Sequence, residues 1–228
     1  KVYDAILGLK PEEKDAYFLR GSAELELGDY ESAKADFDKA ISMDPKNYDR
    51  LIEIYEALAD YGYREVGQEY LQNVLDTAKQ LDAYDSGRIY YYLGDYQKAY
   101  LALEEAKGKG GVDSYLYLGK AYAATGDYNY ASSVYSNYLS KQGPDAEIYN
   151  QLGLCEMAKK DYQKALEAFQ AGKQIEGNSL MQTLSFNEIV AYEYLQDYQK
   201  AAVLLKAYLQ NYPDDQAAIR EQQFLSTR

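Results

Sequence analysis

The sequence predicts an all-α fold, a solenoid of antiparallel helix pairs with about six repeats and a C-terminal capping helix. Three observations point there. The tripeptide Gly-Asp-Tyr stands at Gly28-Asp29-Tyr30, Gly94-Asp95-Tyr96 and Gly126-Asp127-Tyr128, and its last two residues return at Asp161-Tyr162 and Asp197-Tyr198. With Tyr63 filling the remaining slot, tyrosines fall at 30, 63, 96, 128, 162 and 198, steps of 33, 33, 32, 34 and 36 residues. A fixed period in this range is the signature of a repeat architecture. Three residues after each tyrosine comes a small or slim residue (Ala33, Val66, Ala99, Ala131, Ala165, Ala201), and four residues later a large one (Phe37, Tyr70, Leu103, Tyr135, Phe169, Leu205). That i, i+4 spacing puts each pair on one helical face.

Taken in order, residues 1–10 read as the end of the second helix of a preceding, truncated repeat, because Pro11 lies 34 residues before Pro45 and Tyr3 lies 34 before Phe37. The array covers 11–215, with repeats at about 14–46, 47–79, 80–111, 112–145, 146–181 and 182–215. In the fourth, Tyr115-x-x-Leu118-Gly119-x-x-Tyr122 describes a first helix with a flat spot for close packing, and Gly21, Gly87 and Gly153 repeat that spot. Glycine inside a helix costs roughly 0.5–1 kcal/mol relative to alanine, so its recurrence at one register needs a compensating close approach. Ile54 and Ile189 stand at the glycine place of the second and sixth repeats, which predicts altered packing there. Pro45, Pro144 and Pro213 end second helices, and Gly108-Lys109-Gly110-Gly111 serves as a turn. Residues 216–228 form the more polar capping helix that the end of such an array requires.

Composition narrows the function. The 228 residues carry 24 Lys+Arg against 37 Asp+Glu, a formal charge of −13, which argues against nucleic acid or an anionic membrane surface as partner. There is no histidine, which removes the commonest general base and every His-containing metal site. One cysteine excludes an intrachain disulfide. Cys155 falls in register with Ala23, Ala121 and Ala191, and reads as a small buried residue rather than a nucleophile. No phosphate loop, nucleophile elbow or calcium loop is present, so no catalytic residue, metal or cofactor is expected. The chain starts at Lys1 rather than Met, read as the loss of an upstream segment. That start leans toward a location outside the cytoplasm on a removed anchor, with the cytoplasm as the alternative.

The helix, Gly-Asp-Tyr turn, helix and Pro-containing link of about 34 residues resemble the tetratricopeptide repeat, over nearly the whole chain. The family pattern Trp-x-x-Leu-Gly-x-x-Tyr, Ala-x-x-x-Phe, Pro is met best by 112–145, with Tyr115 in place of Trp and Tyr135 in place of Phe. The resemblance implies a right-handed superhelix and a bacterial repeat protein without catalysis of its own. It also implies a concave groove lined by the first helices, which takes an extended peptide or a helix of a partner protein. Its groove places fall here on Phe18, Leu51, Tyr55, Tyr84, Arg88, Tyr91, Leu116, Lys120, Asn150, Leu154 and Phe186, with Tyr92 beside them; further such places are Ser22, Leu25, Leu58, Ala123, Met157, Val190 and Glu193. Members that grip the tails of heat-shock chaperones carry Lys and Asn where this chain has Phe18 and Ser22, so that specificity is not expected. Arg88 and Lys120 occupy one place in adjacent repeats, and with Tyr84, Tyr91 and Tyr92 are the expected hot spot, able to receive one anion. Its competing reading is that the tyrosines fill interrepeat cores and Arg88 pairs with Asp85 or glutamates nearby. Self-association as a homo-oligomer, a targeting arm for a catalytic domain elsewhere, and a glycan or small-molecule groove are the alternatives.

Overall fold

The computed structural model describes residues 1–107 and 111–227. The helices run α1 (Val2–Leu9), α2 (Lys14–Glu26), α3 (Tyr30–Met43), α4 (Tyr48–Asp60), α5 (Arg64–Thr77), α6 (Ala83–Leu93), α7 (Tyr96–Ala106), α8 (Gly111–Ala124), α9 (Tyr128–Gln142), α10 (Ala146–Ala158), α11 (Tyr162–Lys173), α12 (Met181–Tyr194), α13 (Tyr198–Asn211) and α14 (Gln216–Leu225). No strand occurs among the described residues. The expected turn at 108–111 lies outside the described residues except for Gly111, which opens α8. The chain forms two compact bodies, Lys1–Asp95 and Tyr96–Arg228.

Each second helix starts where the tyrosine period places it, and the turn before it explains the start. Gly28, Gly62, Gly94 and Gly126 all have φ between 80° and 87°, and the same turn position in the later repeats is held by Lys160 and Gln196, both at φ 64°. A left-handed residue ends the first helix, and glycine is the side chain-free way to occupy it. The aspartate that follows caps the next helix: Asp29, Asp127, Asp161 and Asp197 each accept from the backbone N–H three residues on. First helices are capped in the same manner by Asn47, Asp82 and Asp145, and α14 by Asp215. Each such cap stabilises its helix by about 1 kcal/mol.

Within the N-terminal body α1 packs on α2, α2 on α3 and α4, α3 on α4, α4 on α5, and α5 on α6. Within the C-terminal body consecutive helices pack from α7 to α14, and α8 also meets α10. A first helix touching both its partner and the next first helix is the arrangement of a solenoid. In five of the six repeats the small–large signature becomes core: Ala33, Ala99, Ala131, Ala165 and Ala201 have no exposed surface, nor do Phe37, Leu103, Tyr135 and Phe169, while Val66 and Tyr70 of the second repeat are partly buried. Arg20 ties the start together, holding Asp36 of α3 through Nε and Nη2 at 2.6 and 2.8 Å and Asp4 of α1 at 2.8 Å.

Candidate functional site

In the N-terminal body the first helices are α2, α4 and α6. Phe18 is half-buried, tilted against Phe37 at 6.1 Å, with the Arg50 guanidinium 4.0 Å over its ring. Arg50 in turn reaches Asp15 at 2.8 Å. Leu51 and Tyr55 are each only 4% exposed and belong to the core between α4, α5 and α6. Tyr92 packs on Tyr55 at 5.2 Å and on Tyr91 at 5.4 Å, and its hydroxyl donates to Glu56 at 2.6 Å. Tyr84, Tyr91 and Tyr92 keep part of their surface accessible.

Arg88 is 7% exposed. Its guanidinium lies 4.3 Å over the Tyr84 ring and donates to Asp49 of α4 and Asp85 of α6. Burial works against its charge, but the hydrogen bonds to Asp49 and Asp85 outweigh it and hold the group above the ordinary arginine range. Burial also raises the Asp85 carboxyl, against the pull of Arg88. The anions this cation meets are therefore the protein's own, and they join two successive first helices.

In the C-terminal body the first helices are α8, α10 and α12. Lys120 Nζ stands 3.7 Å from Glu147 of α10 and 5.8 Å from the Tyr117 ring centre. Arg88 and Lys120 belong to different bodies, and each is described with its own neighbours. Leu116 is 9% and Asn150 5% exposed; the Asn150 carbonyl oxygen accepts from Asn187 of α12 at 2.9 Å. Leu154 is 42% exposed, and Phe186 is half-buried against Tyr208 at 5.7 Å. Lys120, Leu154 and Phe186 keep accessible surface, whereas Leu116 and Asn150 are buried between helices.

Two polar links that join α12 to its neighbours are not visible as motifs. Glu188, 6% exposed, accepts from Gln170 at 2.9 Å and pairs with Lys173 at 2.6 Å, joining α11 to α12. Glu193 faces Glu221 of α14, and burial first, then the charge of Glu221, pushes Glu193 up to about 7. Residues 28 positions apart carry no shared pattern; the register of Glu193 on the first helix was the one available signal. Cys155 is buried, and desolvation pushes its thiol up to about 12, the state of an unreactive packing residue. Among the described residues no group of three or more His, Cys, Asp or Glu side chains is placed to hold a metal ion, and no helix is long and apolar enough to cross a membrane.

Comparison with known proteins places this architecture. Solved structures similar in fold include a tetratricopeptide repeat protein from Parabacteroides merdae (14% identity, 99% of this chain and 90% of that one, TM-score 0.69). YrrB, described as a tetratricopeptide repeat protein with an unusual peptide-binding site, matches over 98% of both chains at 18% identity and TM-score 0.53. The Cut9-Hcn1 hetero-tetramer of the APC/C matches 98% of this chain at 18% identity and TM-score 0.59; the present chain spans 45% of that protein's length. No curated protein matches the sequence. Tetratricopeptide repeat models match residues 14–47, 116–179 and 186–215. Those matches cover more than half of the sequence, with the helix pairs and left-handed turns in register, and the chain belongs to the tetratricopeptide repeat family.

Proposed function

We propose that the chain is a non-catalytic scaffold whose first-helix faces hold an extended peptide or a helix of a partner protein. The observation that carries this reading is the set of half-buried or exposed apolar and aromatic side chains on those faces: Phe18, Tyr84 and Tyr91 in one body, Leu154 and Phe186 in the other. Side chains fixed in position by helix packing and still partly open to solvent bind with little loss of conformational freedom. The likeness to YrrB supports a peptide as ligand by fold alone.

The test is peptide display against the whole chain, followed by affinity measurement on variants. Lys120→Glu combined with Leu154→Arg should weaken the selected peptide at least tenfold with an unchanged melting temperature. Leu101→Arg and Val203→Arg, on second helices at positions 60% and 62% exposed, should not. Equal affinity in all variants would sink the first-helix assignment.

A further inference from the structure

The end of the C-terminal body holds a cleft of about 520 Å³ between α12, α13 and α14, lined by Val190, Glu193, Tyr194, Tyr198, Glu221 and Phe224. Its chemistry is unusual for the last turn of an array, where a polar surface is expected. Tyr194 and Phe224 are 56% and 40% exposed, and Tyr198 meets Phe224 edge to face at 6.5 Å. The same cleft is lined by two carboxyl groups from different helices, Glu193 and Glu221. Glu193 Oε1 is closed off from solvent and accepts no hydrogen bond, while the Glu193 carboxyl shares a hydrogen bond with Glu221. A buried acceptor in that condition is costly, and like charge across the cleft adds to the cost.

We infer that this cleft binds a primary ammonium group, the side chain of a lysine in the partner's peptide. The inference rests on the reading that a peptide follows the first helices, since Glu193 lies on the groove register of α12. An ammonium brings three N–H donors, which satisfy Glu193 Oε1 and Glu221 together. Its aliphatic stem packs on Val190 and the aromatic rings, whose faces attract the cation. A calcium ion asks for six or more oxygen ligands, and two carboxyl groups among apolar side chains fall short of that. A quaternary ammonium has no N–H to give Glu193 Oε1. A net charge of −13 draws a basic segment toward the chain.

The titratable group facing Glu193 is Glu221 from α14, and Tyr198 of α13 and Tyr194 of α12 line the same cleft. Raising the pH from 6 to 8 ionises Glu193 and strengthens the site.

The experiment is an NMR titration of the ¹⁵N-labelled whole chain with acetyl-Gly-Gly-Lys-Gly-Gly-amide, its Nζ-acetylated counterpart and tetramethylammonium chloride. The expected result is saturable shifts confined to residues 190–198 and 220–224 with the lysine peptide alone, several-fold tighter at pH 8 than at pH 6. Glu193→Gln with Glu221→Gln removes like charge and keeps the fold, checked by circular dichroism; it should weaken binding at least tenfold. Glu221→Lys, which supplies an ammonium from the protein itself, should abolish it. Equal shifts from the acetylated peptide, tighter binding of tetramethylammonium, or wild-type affinity in the Gln variant would each overturn the inference. If display-selected peptides bind along α8 and α10 without preference for lysine, the cleft assignment fails and the scaffold reading stands. If lysine fills the cleft while selected peptides avoid the first helices, the reverse holds.

Discussion

Helix pairs α8/α9 and α4/α5 solve the same close-packing problem from opposite sides. In α8/α9 the glycine is on the first helix: a Cβ at Gly119 would stand 2.2 Å from Tyr135 Cζ, so the buried tyrosine ring occupies the space that a side chain would take. Phe169 does this over Gly153, and Phe37 over Gly21. In α4/α5 the first-helix place is filled by Ile54, which is fully buried, and the glycine has moved to the second helix. A Cβ at Gly67 would come within 2.9 Å of the Tyr55 ring and 3.2 Å of the Tyr55 Cα. Tyr70, the counterpart of Tyr135, is only partly buried and donates its hydroxyl to Asp38 of α3 at 2.5 Å. In these pairs the close approach is made at one side chain-free position, and either helix can supply it; α12/α13, with Ile189 at the first-helix place, carries no glycine on either helix.

Predictions that would break or refine this comparison run from large to small. Ile54→Ala should cost about 3 kcal/mol, because it opens a void that Tyr70, held at Asp38, does not refill. Urea unfolding followed by far-ultraviolet circular dichroism reads it; a loss under about 1 kcal/mol would mean that Tyr70 swings in. Gly119→Ala should cost about 2 kcal/mol despite the better helix propensity of alanine, since the fully enclosed Tyr135 ring has to move. Gly67→Ala should cost a similar amount, and a neutral result there would show that the glycine had not changed sides.

Replacing Arg88 with Met tests whether this cation works as a structural link. Asp85 is largely covered while Asp49 is mostly exposed, so leaving them unpaired should cost about 2 kcal/mol, less than a fully buried pair. Unchanged stability with lost peptide affinity would return Arg88 to the hot-spot role. Glu193→Gln has a pH signature. The carboxyl titrates near 7 in the folded chain, above its ordinary value, so its protonated form favours folding and that contribution fades as pH rises through 7. The Gln variant should match wild type near pH 4 and exceed it by about 1 kcal/mol at pH 8, a size reduced by the solvent open to the cleft. The smallest effect belongs to the turns: Lys160→Gly and Gln196→Gly should each stabilise by about 0.5 kcal/mol, as strain at φ 64° is relieved against the added chain entropy of glycine.

Much of the architecture could be read in advance because a repeat writes one local solution many times. The tyrosines at 30, 96, 128, 162 and 198 open α3, α7, α9, α11 and α13, and Tyr63 precedes α5 by one residue. Pro45, Pro144 and Pro213 follow α3, α9 and α13 within two residues. The candidate site was legible only as a register. Register placed Tyr55, Leu51, Leu116 and Asn150 on the first helices; tertiary packing then closed over them and left Tyr84, Tyr91, Leu154 and Phe186 with accessible surface.

By itself, the sequence determined the fold class, the helix order and the turn chemistry, since these depend on residues within one period: a left-handed position, a capping aspartate, and a small and a large residue four apart. Only the tertiary structure decided that Gly67 closes against Tyr55 in the pair whose first helix carries Ile54, that Arg88 also reaches Asp49, and that Glu193 meets Glu221. Those outcomes join residues from 12 to 39 positions apart, where no local periodicity reports a contact and packing geometry selects which side chains meet.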